Sequence, residues 1–95
     1  MPTFVLTCID RPDALERRLA ARADHLAYVR ERLAMVKLAG PFLNEAGEMA
    51  GSMFILDAPD KAAVEAFAAG DPYRAANVFE RVDIWPWTAT VGALG

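Results

Sequence analysis

One histidine and one later carboxylate are the first candidates for chemistry in this chain. His25 is the only histidine, and imidazole is the side chain that ordinarily titrates near neutral pH. Asp71, followed by Pro72, is a carboxylate able to orient an imidazole that acts as a general base. Each residue also has a structural interpretation, because a lone histidine at a helix edge is usually hydrogen-bonded within the fold and Asp-Pro is an ordinary helix start. The two interpretations of Asp71 are compatible.

Arg22 precedes His25 by three residues, so on a helix both side chains could line one pocket. In the helical projection Arg22 falls at the centre of an apolar stripe, where a guanidinium must extend to solvent or meet an anion. The functional hypothesis is that Arg22 anchors a substrate carboxylate or enolate. The structural alternative is an arginine whose stem packs on the core while its head reaches water.

Weaker candidates are a serine, a glycine-proline step and an aromatic residue. Ser52 would place a hydroxyl at a sheet edge, Gly40-Pro41 would let the backbone approach a ligand, and Tyr73 would line a pocket. Turn, strand-end and packing roles are the commoner explanation for each. Cys8 has no base near it in sequence and is predicted to be a core residue, and with a single histidine no metal site is predicted.

Composition limits the class of protein. The chain has 95 residues, a length that predicts one domain over residues 1–95. Of these residues 55% are hydrophobic, and this excess indicates a surface covered by another subunit. The formal net charge is -3 and no basic run is present, so nucleic acid is not a predicted partner. No apolar run approaches the roughly 20 residues of a membrane span, no targeting segment is recognisable and one cysteine forms no intrachain disulfide. These features predict a cytoplasmic protein.

Hydrophobic periodicity and turn residues predict the order of the elements. The predicted elements are a strand at 3–9, a helix from 12 to 37 or 38, strands at 42–43 and 52–56, a helix from Asp60 to Gly70, a short helix at 72–78 and a strand at 81–87. Gly40-Pro41 is predicted to end the long helix, and the apolar face of that helix is predicted to contain Leu15, Leu19, Leu26, Val29, Leu33 and Val36.

This order predicts an α+β fold of the ferredoxin-like β-α-β-β-α-β kind, with an antiparallel sheet and both helices on one face. Strand residues of both parities are apolar. The open sheet face is therefore predicted to stack on a second copy, which gives a homodimer whose combined strands resemble a barrel.

Five short motifs, in this order and spacing, resemble the YCII-related proteins. They are RADHL from Arg22, AGPF from Ala39, GEMAGS from Gly47, AAGDPY from Ala68 and FERVDIWPW from Phe79. The resemblance extends over residues 4–87 and implies a dimeric α+β barrel with an active site at His25 and Asp71. It also draws attention to the motif positions Arg22, Gly40, Pro41, Ser52, Pro72 and Tyr73.

The activity that the resemblance implies is a lyase-type elimination of chloride from a chlorinated hydroxyhydroquinone. Muconolactone isomerases and cofactor-independent monooxygenases share the fold, so the fold alone does not choose a reaction. The leading hypothesis is a cofactor-independent enzyme in which His25 removes a proton from a small aromatic or enolisable organic acid, and elimination or isomerisation follows. The alternative is a non-catalytic dimeric module that binds a small anion, with His25 and Asp71 as a structural pair. An open pocket at His25 favours the enzyme, and a packed one favours the module.

Overall fold

A computed structural model describes residues 1–93 of the chain, which contain four strands and three helices. In chain order they are β1 (Thr3–Asp10), α1 (Leu15–Arg30), β2 (Val36–Leu43), β3 (Met49–Asp57), α2 (Lys61–Gly70), α3 (Pro72–Ala75) and β4 (Phe79–Pro86). The last two residues of the predicted domain, Leu94 and Gly95, lie outside the described residues, and the extent of the domain stays a prediction. No helix within residues 1–93 has the length and hydrophobicity needed to cross a membrane.

The sheet has the order β2-β3-β1-β4, and every neighbouring pair is antiparallel. This topology confirms the predicted ferredoxin-like α+β fold. Alternate residues of the central strands, among them Leu6 of β1 and Leu56 of β3, are fully buried against one side of the sheet. Val64 and Phe67 of α2 belong to the same core.

The opposite sheet face carries an apolar row that crosses all four strands. The register aligns Leu38 with Ile55, Ile55 with Val5, and Val5 with Trp85. Trp85 is 67% exposed and Leu38 is 42% exposed. A single copy of the chain therefore leaves apolar surface open to water on this face.

The long helix is shorter than its sequence pattern predicts. α1 ends at Arg30, not at residue 37 or 38, and the chain turns before Val36 begins β2. The residues from 31 to 37 or 38, predicted as helix, therefore belong to a turn and a strand. The physical reason is the long-range pairing of β2 with β3, because backbone pairing across a sheet outweighs local helix propensity.

Gly40-Pro41 lies inside β2 and does not end a helix. Gly40 pairs with Met53 and Pro41 pairs with Ser52. β2 is an edge strand, where a proline without an N–H costs little because one side of the strand makes no ladder hydrogen bonds. The prediction of residues 42–43 as a strand was correct, but the strand begins six residues earlier.

Two helices start where the sequence predicts, each behind a capping aspartate, whereas one helix ends earlier than predicted. The Asp60 carboxylate accepts a hydrogen bond from the Ala63 N–H at 2.9 Å, and Asp71 caps α3. The short helix predicted to reach residue 78 ends at Ala75. Asn77 adopts a φ of 59°, a left-handed conformation that a right-handed helix cannot include.

Candidate active site

The buried face of α1 is not the one its leucines predict. Arg18, His25 and Val29 are the buried residues of this helix, whereas Leu19 is 54% exposed. Arg22, predicted at the centre of the apolar stripe, is exposed, and the arginine that enters the core is Arg18. The reason is that Arg18 finds hydrogen-bonding partners inside the fold, which compensate for removing its charge from water.

His25 and Asp71 are brought into direct contact from distant parts of the chain. His25 Nδ1 lies 2.8 Å from Asp71 Oδ1, within hydrogen-bond distance. The same carboxylate oxygen accepts a hydrogen bond from the Tyr73 N–H at 2.9 Å. Asp71 therefore caps α3 and holds the imidazole at the same time.

The contact with Asp71 determines which histidine nitrogen faces the open side. A carboxylate only accepts hydrogen bonds, so Nδ1 carries the hydrogen, and in the neutral imidazole Nε2 has the free lone pair. Among the described residues Nε2 makes no hydrogen bond, and it is not a fully buried atom. His25 thus offers a basic nitrogen to the cleft that it lines.

Tyr73 supports the imidazole from the side. The two rings stack with centroids 3.9 Å apart and planes 13° from parallel, and Tyr73 itself is 1% exposed. Burial raises the pKa of Tyr73, against the lowering effect of the Arg18 charge, so its phenol stays neutral. This stacking fixes the plane of the His25 ring.

Arg18 is a functional candidate that the sequence prediction missed. Its Nε and Nη2 donate to the two carboxylate oxygens of Asp10 at 2.7 and 2.8 Å, and Nη2 also donates to Ser52 Oγ at 3.0 Å. Its guanidinium carbon lies 4.4 Å from the centroid of the Tyr73 ring. Burial alone lowers the pKa of Arg18, but the hydrogen bonds and charge of Asp10 raise it on balance. The available signal was the spacing of two helical turns from His25, which puts both side chains on one face.

Arg18, His25, Ser52 and Tyr73 line a cleft of about 430 Å³ bordered by α1 and β2. Of the residues predicted from the sequence, those that line it are Arg22, His25, Gly40, Pro41, Ser52 and Tyr73. Ser52 lies on the interior strand β3 and is 3% exposed, not at a sheet edge. Pro72 and Asp71 do not line the cleft within the described part of the chain, and Pro72 begins α3.

The wall of the cleft is cationic although the whole chain is acidic. Its charged residues are Arg18, Arg22, Arg30 and Lys37, and none of the described lining residues is Asp or Glu. Asp10 pairs with Arg18, and Asp57 lies 3.8 Å from the Lys37 amine. Arg22 and Arg30 are the lining cations without an ion-pair partner among the described residues. A wall of this charge suits an anionic ligand.

The remaining candidates carry no chemistry of their own. Cys8 is a core residue, as predicted, and burial raises its pKa to about 12, so the thiol is protonated and a poor nucleophile. Across residues 1–93, no group of three or more His, Cys, Asp and Glu side chains is arranged to hold a metal ion.

Comparison with known proteins agrees with this arrangement of motifs. A family model described as the YCII-related domain matches residues 2–88. The chain belongs to the YCII-related family. Proteins named YciI from Escherichia coli O6:H1 and Shigella flexneri are each 34% identical to it over 92 residues, covering 88% of this chain and 94% of the relative. The predicted family is thereby confirmed.

Two solved structures bear on the fold. One is 5-chloro-2-hydroxyhydroquinone dehydrochlorinase from Burkholderia phenoliruptrix AC1100 in complex with 2,5-dihydroxybenzoquinone, with a TM-score of 0.86 and 29% identity over 93% of this chain and 95% of that one. The other is an antibiotic biosynthesis monooxygenase, with a TM-score of 0.57 and 14% identity over 96% of this chain and 100% of that one. At this identity the monooxygenase shows the shared fold alone.

Proposed function

We propose that this YCII-related protein is a small enzyme that removes a proton from an aromatic or enolisable organic acid, with elimination or isomerisation following. The observation that carries the proposal is the 2.8 Å contact between His25 Nδ1 and Asp71, which leaves Nε2 free at an open cleft. In this role His25 is the general base, and Asp71 holds its tautomer and orientation.

The cleft supplies groups for the rest of the substrate. Arg22 lies one helical turn before His25, and its cation stabilises negative charge that develops as the proton leaves. Ser52 and Tyr73 are hydrogen-bonding groups that line the cleft, and Gly40-Pro41 lines it from β2, where Pro41 pairs with Ser52. The two cations of the lining that have no ion-pair partner among the described residues, Arg22 and Arg30, favour an anionic substrate over a neutral one.

The likeness to 5-chloro-2-hydroxyhydroquinone dehydrochlorinase supports elimination of chloride as the reaction. The balanced change is the loss of one proton and one chloride from the substrate. In the keto tautomer, whose chlorine-bearing carbon is tetrahedral, the proton passes from a hydroxyl group to His25 Nε2. The electron pair of that O–H bond moves through the conjugated system, and the C–Cl bond breaks with both electrons leaving on chloride. No cofactor takes part in this scheme.

One observation favours the alternative, a non-catalytic module that binds a small anion. His25 is only 8% exposed and is stacked on a buried tyrosine, which also suits a structural pair. The two functions differ in product formation. Incubation of the purified protein with 5-chloro-2-hydroxyhydroquinone, followed by measurement of released chloride, is expected to show turnover above the rate in buffer. Binding of the substrate without chloride release would favour the module.

Arg22→Lys is expected to weaken binding of 2,5-dihydroxybenzoquinone roughly tenfold although the charge is kept, because an ammonium cannot reproduce the planar fork of a guanidinium. Titration of ligand absorbance measures the effect. Arg32→Lys is the matched control, since Arg32 stacks 3.6 Å from the Tyr28 ring and lies outside the cleft lining. Equal losses in both variants would contradict a role of Arg22 in binding.

A homodimer formed by the open sheet face is proposed from the apolar row that contains Leu38 and Trp85. It is expected to bury at least about 1,200 Å² in total, with Trp85 or Trp87 and β1 near the contact. Light scattering at micromolar concentration should give twice the monomer mass. Trp85→Asp should shift the protein to monomer, whereas Val91→Asp, at a still more exposed site outside the sheet, should not. A monomeric wild-type protein would overturn the proposal. The cytoplasmic location stays a prediction.

A further inference from the structure

The Arg18-Asp10 ion pair is the most deeply buried charge pair described in the protein. Its side chains are 2% and 5% exposed, and both carboxylate oxygens of Asp10 accept from Arg18. A buried ion pair of this kind seldom stabilises a fold more than apolar residues of similar size would, because both charges lose their hydration. A contribution to stability therefore does not explain why this ion pair is buried.

The contact between Arg18 and Ser52 offers that explanation. Arginine has five N–H donors and no acceptor, so at the 3.0 Å contact the Ser52 oxygen accepts. The hydroxyl hydrogen of Ser52 must point elsewhere. Within residues 1–93 no protein acceptor is hydrogen-bonded to it, and Ser52 lines the cleft. The hydroxyl is thus set to donate into the cleft.

Asp71 sets the opposite polarity at His25. Its carboxylate accepts from Nδ1, so Nε2 presents a lone pair. Two buried carboxylates, Asp10 and Asp71, therefore determine the hydrogen-bonding character of two groups that line the same cleft. Asp10 acts through Arg18, so that Ser52 offers a hydrogen to the cleft. Asp71 acts on His25 directly, so that His25 accepts one.

We propose that the buried Arg18-Asp10 pair is a positioning device that fixes Ser52 as a hydrogen-bond donor to a ligand oxygen in the cleft. The ligand class that fits is a hydroxy-carbonyl compound or its enolate, which brings an acidic hydrogen to His25 and an acceptor oxygen to Ser52. This assignment rests on the proposed function for the role of His25. As charge develops on the acceptor oxygen during proton removal, the Ser52 hydrogen bond strengthens.

A double-mutant cycle tests whether Arg18 acts through Ser52. The probe is 2,5-dihydroxybenzoquinone, and its affinity is measured by absorbance titration for wild type, Ser52→Ala, Arg18→Lys and the double variant. Ser52→Ala and Arg18→Lys are each expected to weaken binding about tenfold, the loss of one charge-assisted hydrogen bond. In the Ser52→Ala background, Arg18→Lys should weaken it less than about twofold further, because the shared contact is already gone.

The controls separate positioning from general damage to the fold. Arg32→Lys also alters an arginine stacked on a tyrosine, outside the cleft lining, and should leave affinity unchanged. If Arg18→Lys does not fold, as judged by circular dichroism, Arg18→Met combined with Asp10→Asn removes both charges and replaces it in the cycle.

Each result of the cycle supports or overturns the inference. Non-additive losses support it. Additive losses, an unchanged affinity in Ser52→Ala, or a wild-type protein that does not bind the quinone overturn it. The proposed function fails on a different readout, the absence of chloride release from 5-chloro-2-hydroxyhydroquinone, so the two failures are distinguishable.

Discussion

His25→Ala is expected to lower the kcat for chloride release about 100 to 10,000-fold, the usual contribution of a positioned proton-transfer group. The physical reason is that His25 has a free lone pair on one nitrogen while a carboxylate holds the other nitrogen. Among the described residues, no other side chain that lines the cleft has this combination. Steady-state kinetics on 5-chloro-2-hydroxyhydroquinone measure the effect.

His25→Asn is the matched control for structure. An asparagine amide keeps a hydrogen-bond donor within reach of Asp71 but has no basic nitrogen. It should therefore lose turnover as His25→Ala does, while thermal unfolding shows a smaller loss of stability. If His25→Ala unfolds the protein or dissociates the dimer and His25→Asn keeps full turnover, the pair is structural and the assignment of His25 as the general base must be withdrawn.

Asp71→Asn is expected to lower kcat by a similar factor, about 100 to 10,000-fold, with little loss of stability. Asparagine is also a good N-cap, so its oxygen can still accept from the Tyr73 N–H. The same oxygen position faces His25 Nδ1 and can still accept from it. The neutral amide, however, cannot stabilise the positive charge that the imidazole gains when Nε2 takes up a proton.

Asp60→Asn controls for the loss of a capping carboxylate. Asp60 caps α2 through the Ala63 N–H and does not contact His25. Its replacement should change the melting temperature about as much as Asp71→Asn and leave kcat unchanged. Equal kinetic effects of the two substitutions would remove Asp71 from the mechanism.

The sequence predicted the chain order of the elements and the local structure around Asp71 because these depend on neighbouring residues. An Asp-Pro pair identifies a helix start, and Asn44 to Glu48 forms the turn between two strands wherever the hairpin packs. The length of α1 was not predictable in this way. Its apolar repeat continues past Arg30, and only pairing with β3 makes the later residues extend.

Helical periodicity determined which residues share a face, whereas the tertiary structure determined which face meets the sheet. Arg18 and His25 are two turns apart by sequence alone, but the choice of Arg18 over Arg22 for burial depended on partners at Asp10 and at Ser52, the latter 34 residues away. Burying a guanidinium is favourable only where such partners lie within hydrogen-bond distance of it, and only the folded sheet brings them there.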